Sequence, residues 1–309
     1  MIKISFVIPA LNEESNIHYI SENIIKEING LFDYEIVFVD DGSTDKTIDE
    51  LRQLNSLNNK IHFISFSKNF GHQQALKAGI DYAQGDCVIT MDADMQHPPA
   101  LINPMINKWL KEGYDIVYTK RNDDKQLPFL KRKTSDIFYF LINKIADVKI
   151  ERGAADFRLL DKKVVDIVSK LNDPYLFMRG LIPWMGFKHC CINYAPSKRY
   201  AGETKYSYKK MFAFALSGIT SFSIRPLHLA TIIGLLISLL SFFYGVYAVI
   251  IFFFNDKVIS GWASVLTSIL FVGGIQLLIL GIIGEYIGKI YMHLKNRPTY
   301  IIRESSKIK

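Results

Sequence analysis

Two long stretches of this chain, residues 227–254 and 258–284, contain no Asp, Glu, Lys or Arg. A helix rises about 1.5 Å per residue and needs roughly 20 residues to cross a hydrocarbon core of about 30 Å, so each stretch suffices even when tilted. Helices of that length without a charged face are rare in the core of a soluble protein. Only Asn255, Asp256 and Lys257 separate the two. The pattern predicts a transmembrane helical hairpin over 227–292, preceded by a water-facing domain.

Charge placement orients that hairpin. The formal net charge is +7, and much of the positive charge flanks the apolar stretches: Lys198, Arg199, Lys205, Lys209, Lys210 and Arg225 before them, Lys289, Lys295, Arg297, Arg303, Lys307 and Lys309 after. Positive residues favour the cytoplasmic side, so both flanks are expected there and the short turn outside. The reading is a multi-pass protein of the cell membrane, with the first domain and both termini cytoplasmic and residues 293–309 forming a basic tail. Charge placed beside membrane spans meets lipid head groups, so no nucleic-acid partner is expected. Cys87, Cys190 and Cys191 supply no C-x-x-C spacing, which fits a reduced compartment. The opening Met1-Ile2-Lys3-Ile4-Ser5-Phe6 reads as a strand, with no sign of an export signal.

The first 120 residues or so alternate short β-branched runs with helical patterns. Strands are expected at 4–8, 35–39, 62–66 and 87–91, and helices at 16–28, 45–54 and 73–83. Strands joined by helices of this length imply a mostly parallel α/β sheet, whose ligands bind beyond the carboxyl ends of the strands. Residues 207–226 have the spacing of an amphipathic helix lying in the membrane interface.

Carboxylates collect at two of those strand ends. One turn reads Asp40-Asp41-Gly42-Ser43-Thr44-Asp45 and another Asp92-Ala93-Asp94-Met95-Gln96. Clustered oxygen ligands suit Mg²⁺ or Mn²⁺, and such a cation neutralises the diphosphate that leaves a nucleotide-sugar. Turn formation or helix capping is the simpler reading for a lone Asp, and for Asp45 it stands level with function. Basic residues that follow, Arg121, Arg132, Arg199 and Lys205, are candidates for gripping an acceptor phosphate. Asp156, just before Phe157-Arg158, is a candidate to orient the acceptor or act as a base. His72, His97 and His189 lack an i, i+4 companion and read as core or loop histidines.

Together, Val7-Ile8-Pro9-Ala10-Leu11-Asn12-Glu13-Glu14, Asp40-Asp41-Gly42-Ser43 and Met91-Asp92-Ala93-Asp94-Met95-Gln96-His97-Pro98-Pro99 resemble glycosyltransferase family 2. More narrowly, the chain resembles the polyprenyl-phosphate glycosyltransferases, through Lys68-Asn69-Phe70-Gly71-His72, Ala75-x-x-x-Gly79, Phe157-Arg158-Leu159, Arg179-Gly180, Trp184-x-Gly186-Phe187 and the run from Arg199 to Tyr206. Met95 and Thr204 depart from the usual Leu and Ser. The resemblance implies a GT-A domain over 1–206 with a UDP- or GDP-sugar donor and a polyprenyl phosphate acceptor. It implies donor contacts from Pro9, Ala10, Asn12, Glu13, Asp40, Asp41, Lys68 and Asp92. The metal ligands it implies are Asp92, Asp94 and Gln96, with Asp156 and Arg158 joining the two aspartates in catalysis. Rival readings are a processive polysaccharide synthase of the same family, whose Q-x-x-R-W motif is not found, and a non-catalytic membrane scaffold. Gly281, Gly284 and Gly288 share a helix side, a stripe that suits either packing within the hairpin or a homo-oligomer.

Overall fold

The computed structural model describes residues 1–28, 30–121, 153–173, 177–195, 223–254 and 261–306. The chain divides into two units: residues 1–143, 148–215 and 298–309 form the first, and 144–147 with 216–297 the second.

The first unit is a layered α/β domain. Its eight strands are β1 (Lys3–Ala10), β2 (Asp33–Asp40), β3 (Ile61–Phe66), β4 (Cys87–Thr90), β5 (Ile116–Arg121), β6 (Ala154–Asp161), β7 (His189–Tyr194) and β8 (Ile302–Ser305). They lie in the order β7-β5-β6-β4-β1-β2-β3-β8. The pairings of β1 with β2 and β4, of β2 with β3 and of β5 with β7 are parallel. Only β6 and β8 run against the rest. The sheet is therefore mostly parallel, as the alternation of strands and helices predicts, and the expected strands and helices of the first ninety residues fall within a few residues of the observed ones.

Crossover helices α1 (Ile17–Ile28), α2 (Thr47–Leu57) and α3 (His72–Tyr82) join the first four strands, and α4 (Ile102–Glu112), α5 (Lys162–Lys170) and α6 (Met178–Met185) follow. Strands covered on both faces read as continuous apolar runs, and β1 is buried along all but its first residue. Phe6, Phe38 and Phe157 are fully buried and pack with Ile17, Ile20 and Ile24 of α1 into one core. On α3, a Cβ at Gly79 would collide with the Val7 side chain. Glycine there lets the helix backbone close on β1.

The stretch expected as a basic tail is different in the structure. The last helix runs to Leu294, and β8 adds antiparallel to the edge of β3. Its anchors lie far away in sequence: Tyr300 stacks on Phe66 and donates to Asp81, and Arg52 pairs with Glu304. A four-residue strand whose partner lies more than two hundred residues upstream leaves almost no local signal.

The second unit contains α7 (Arg225–Phe254) and α8 (Trp262–Leu294). Both hold segments long and apolar enough to cross a membrane, Arg225–Tyr247 and Thr267–Leu294. The Tyr286 hydroxyl donates to the Ser223 carbonyl at 2.7 Å and ties α8 to the start of α7. A Cβ at Gly281, Gly284 or Gly288 would meet nothing within 4 Å. Among the described residues nothing packs against that glycine stripe. The expected interfacial helix at 207–226 lies almost wholly outside the described residues.

Candidate active site

The parallel strands β1 to β5 all point the same way, so the turns after them gather at one end of the sheet, where the sequence pattern directs the search. The turn after β1 is laced to the turn after β2. The Asn12 amide donates to Ser43 Oγ and the Thr44 amide donates to Asn12 Oδ1, both at 2.9 Å. The Glu13 amide donates to Thr47 Oγ1. Asn12 adopts φ +56°, a left-handed conformation that Asn tolerates better than most side chains. Asp45 accepts from the amide and the hydroxyl of Thr47, two residues on at the start of α2, a local turn contact of the kind its residue type predicts.

Asp40 and Asp41 are both buried and face opposite tasks. Asp40 accepts from the Ser43 amide with one oxygen and from the Ser65 hydroxyl, at 2.6 Å, with the other. Asp41 accepts from the Phe70 and Gly71 amides, drawing the loop after β3 onto the β2 turn. Burial pushes the Asp41 carboxyl up, against the pull of those amides. Gly42, at φ +73°, makes the approach feasible, since a Cβ there would lie 2.5 Å from the Lys68 carbonyl carbon. Lys68 reaches over the Phe70 ring at the rim of this loop. Pro9 and Ala10 close β1 beside it.

The second carboxylate turn follows β4. Asp92 Oδ1 lies 2.9 Å from His72 Nε2, and the Asp92 amide donates to His97 Nδ1 at 2.9 Å. His97 is buried, stacked on Phe157 and held below its ordinary pKa by that burial, so it is neutral at pH 7. Its accepting Nδ1 assigns the ring proton to Nε2. Burial lowers His72 as well, but the Asp92 carboxylate overcomes it and the net shift is upward. Burial would raise the Asp92 carboxyl, yet its histidine neighbours hold it below the usual carboxylate range. Asp94 Oδ1 accepts from the Gln96 amide, and Met95 between them sits at φ +61°. A positive φ on a Met is strained backbone, and such strain is found where a turn must present its neighbours.

Strand β6 brings in the third element. Its antiparallel register with β4 pairs Thr90 with Arg158, and two steps further along that register Asp156 stands across from Asp92. Asp156 accepts from Arg158 at 2.6 Å and from Arg179 of α6 at 2.9 Å. Burial alone would raise it, but Arg179 and then Arg158 drive it far below the ordinary carboxylate range. Burial pulls Arg158 down to about 10, which still leaves it charged at neutral pH. Arg121, at the end of β5, donates to Gln96 Oε1 at 3.1 Å.

The structure thus brings Asp40, Asp41, Asp92, Asp94, Gln96, Arg121, Asp156 and Arg158 to one end of the sheet. Arg132, Arg199 and Lys205 lie outside the described residues. His97 is a buried, satisfied core histidine that accepts from the Asp92 amide, and His72 at the start of α3 pairs with the Asp92 carboxylate. The Gln96 oxygen, expected on a metal, accepts from Arg121. Arg179 was visible only as part of an Arg-Gly pair, and its role depends on α6 folding back to β6. Among the described residues no three His, Cys, Asp or Glu side chains form a closed cation cage.

An open sheet with paired carboxylates at its parallel strand ends, in one chain with an apolar hairpin, defines a membrane-associated transferase of the GT-A type. Residues 5–168 match the family described as Glycosyl transferase family 2, and residues 225–290 match the GtrB C-terminal hairpin. The chain belongs to glycosyl transferase family 2. It is 44% identical over 98% of its length to an uncharacterized glycosyltransferase, YkcC, of Bacillus subtilis, covering 94% of that protein. It is 42% identical over 99% of both chains to the SfII prophage-derived bactoprenol glucosyl transferase of Shigella flexneri. The fold is also that of glucosyl-3-phosphoglycerate synthase from Mycobacterium tuberculosis, solved with Mg²⁺ and uridine diphosphate. That likeness has TM-score 0.50 at 20% identity, covering 71% of this chain and 77% of the other.

Proposed function

We propose that this chain transfers a sugar from a UDP- or GDP-sugar to a polyprenyl phosphate, with the catalytic unit on the cytoplasmic side of the membrane. The observation that carries the reading is the ring of carboxylates at the strand ends, in a chain similar from end to end to a protein named as a bactoprenol glucosyl transferase. Glucose is accordingly the first sugar to test.

The donor half of the site is the laced pair of turns after β1 and β2, with Pro9, Ala10, Asn12, Glu13, Asp40, Asp41 and Lys68 around the nucleotide. Asp92 and Asp94 are oxygen donors on an open turn, and they fit a Mg²⁺ or Mn²⁺ that takes its remaining ligands from a diphosphate. Such an ion would neutralise charge on the leaving diphosphate. Gln96 Oε1 has a second lone pair besides the one that accepts from Arg121, and it completes that set. Arg121 stands beside this turn, and with Arg132, Arg199 and Lys205 it is assigned to the acceptor phosphate.

The reaction makes small demands on a base. A phosphate monoester is mostly dianionic near pH 7, since its second pKa is about 6. One of its oxygens forms a bond to the anomeric carbon as the bond from that carbon to the diphosphate breaks, and the departing nucleotide keeps the electron pair. Attack from the opposite side inverts the centre. Asp156 is assigned to orientation rather than proton transfer. Two guanidiniums occupy its oxygens and hold it ionised, and a carboxylate that acidic is a poor base. It fixes Arg158 and Arg179 next to Asp92.

Chain connectivity supports the topology. The polypeptide leaves the catalytic unit before α7 and rejoins it from Pro298 onward, so the outer ends of both helices are tied to the same water-facing unit. The flanking positive charge supports assigning that side to the cytoplasm.

The test is to incubate the full-length protein with undecaprenyl phosphate, Mg²⁺ and a panel of UDP- and GDP-sugars beginning with UDP-glucose. Mass spectrometry of the lipid fraction is expected to show a singly glycosylated polyprenyl phosphate. A polymer, or no glycolipid with any donor, would overturn the proposal.

A further inference from the structure

The pairing of β8 with β3 is irregular at one place. Ser65 pairs with Glu304 and Phe66 with Ile302, which leaves Arg303 as an extra residue with no partner across the ladder. A bulge of this kind bends its strand and re-aims a side chain, and bulges gather next to active sites. Here the re-aimed guanidinium donates from Nη2 to Ser65 Oγ at 3.0 Å. Ser65 is fully buried, and its hydroxyl donates onward to Asp40 Oδ2 at 2.6 Å. The other oxygen of Asp40 accepts from the Ser43 amide, and Ser43 Oγ accepts from the Asn12 amide. An unbroken line of hydrogen bonds therefore runs from the strand that follows the hairpin to both turns of the donor site.

We propose that Arg303 is a positioning residue for the donor site: through Ser65 it fixes the Asp40 carboxylate, and through Asp40 the turns that receive the nucleotide. The inference rests on the assignment of those turns to the donor. The chemistry favours this arrangement. Asp40 is fully buried, and a buried carboxylate that accepts from a hydroxyl and an amide gains from a cation one hydroxyl away. The charge stays fixed because guanidinium does not deprotonate in the working range. The neighbouring pair Arg52 and Glu304 holds the same strand without reaching Asp40, so strand anchoring and turn positioning are separable.

The experiment uses the full-length protein in detergent and compares Arg303→Ala, Ser65→Ala, the double variant and Arg52→Ala. Affinity for UDP and GDP is measured by calorimetry with Mg²⁺, turnover with UDP-glucose and undecaprenyl phosphate, and backbone exchange by mass spectrometry. Arg303→Ala and Ser65→Ala are each expected to weaken nucleotide binding and raise the donor KM three- to tenfold. The kcat at saturation should stay within about twofold. The double variant should be no worse than either single, because the two residues act on one line. Arg303→Lys should recover part of the affinity. Amides 42–44 should exchange faster in Arg303→Ala and not in Arg52→Ala. Unchanged nucleotide affinity and unchanged exchange at 42–44 in Arg303→Ala would overturn the proposal, as would an equal loss of affinity in Arg52→Ala. Faster exchange at 42–44 in a protein whose wild type binds neither nucleotide would uphold the coupling and remove the donor assignment instead.

Discussion

The two units of this chain treat the same residue types in opposite ways. In the catalytic unit Phe6, Phe38 and Phe66 are fully buried, whereas in the hairpin Phe242 is 65% exposed and Leu277 72% exposed. Bare water suits the first arrangement and not the second. Exposure of that much apolar surface along two whole helices costs too much in water, at about 25 cal/mol per Å², and is natural in hydrocarbon. The division extends to chemistry: the ionisable groups of the candidate site lie in the first unit, and the 227–254 and 258–284 stretches carry none of Asp, Glu, Lys or Arg.

The sharpest test of that division is aimed at the chemistry. Asp92→Asn keeps the size of the side chain and removes the charge that His72 and a divalent ion would share. Turnover is expected to fall by about three orders of magnitude, roughly 4 kcal/mol, while the melting temperature stays within a few degrees. EDTA should reproduce the loss and Mg²⁺ or Mn²⁺ reverse it. Retained activity in Asp92→Asn would remove the β4 turn from the reaction.

Packing provides the next test. Phe38→Ala opens a cavity in a close-packed core and should cost about 3–5 kcal/mol in chemical unfolding of the catalytic unit. Phe242→Ala, at a largely exposed side chain of α7, should leave that unfolding unchanged. Similar losses from the two would mean that α7 is covered by protein rather than lipid. Leu240, 70% exposed, probes the same surface in the opposite sense. Leu240→Lys places a charge near mid-span at a cost of about 2.5–3.5 kcal/mol, and the variant should shift from the membrane fraction into the soluble or degraded pool.

The smallest expected effect concerns acid. Glu304 is held below the ordinary carboxylate range chiefly by its hydrogen bond to Arg52. A depressed carboxyl stabilises above its unfolded pKa and loses that contribution as pH falls through the folded one. Exchange at residues 302–305 should therefore quicken on acidification below about pH 4, ahead of the β1 and β2 amides. A uniform response would show that Glu304 contributes nothing to holding β8.

Legibility in the sequence followed the range of the interaction. The first four strands could be read because each is a short β-branched run bounded by a helix, and the aspartate turns because they end such runs. The hairpin needed only composition. The contact of His72 with Asp92 left no sequence signal because the relevant spacing is spatial: His72 opens α3, and only the parallel register of β3, β2, β1 and β4 carries it to Asp92. Gln96 was named a ligand through the family resemblance, while its partner Arg121 arrives from a strand end 25 residues on. Asp156 offered a clue in Arg158 two residues later, and Arg179 depended on the placing of α6.

The return of the chain into β8 also bears on how the protein is made. The edge of β3 stays unpaired throughout synthesis of the first 290 or so residues, and its partner emerges only after both apolar helices have left the ribosome. A hairpin of which only one helix had inserted would leave residues 302–305 on the other side of the bilayer from β3, and the sheet would keep an open edge, a template for aggregation and a mark for degradation. Completion of the enzyme is in this way made conditional on correct insertion, so that the final strand acts as a signature that the membrane step has been carried out.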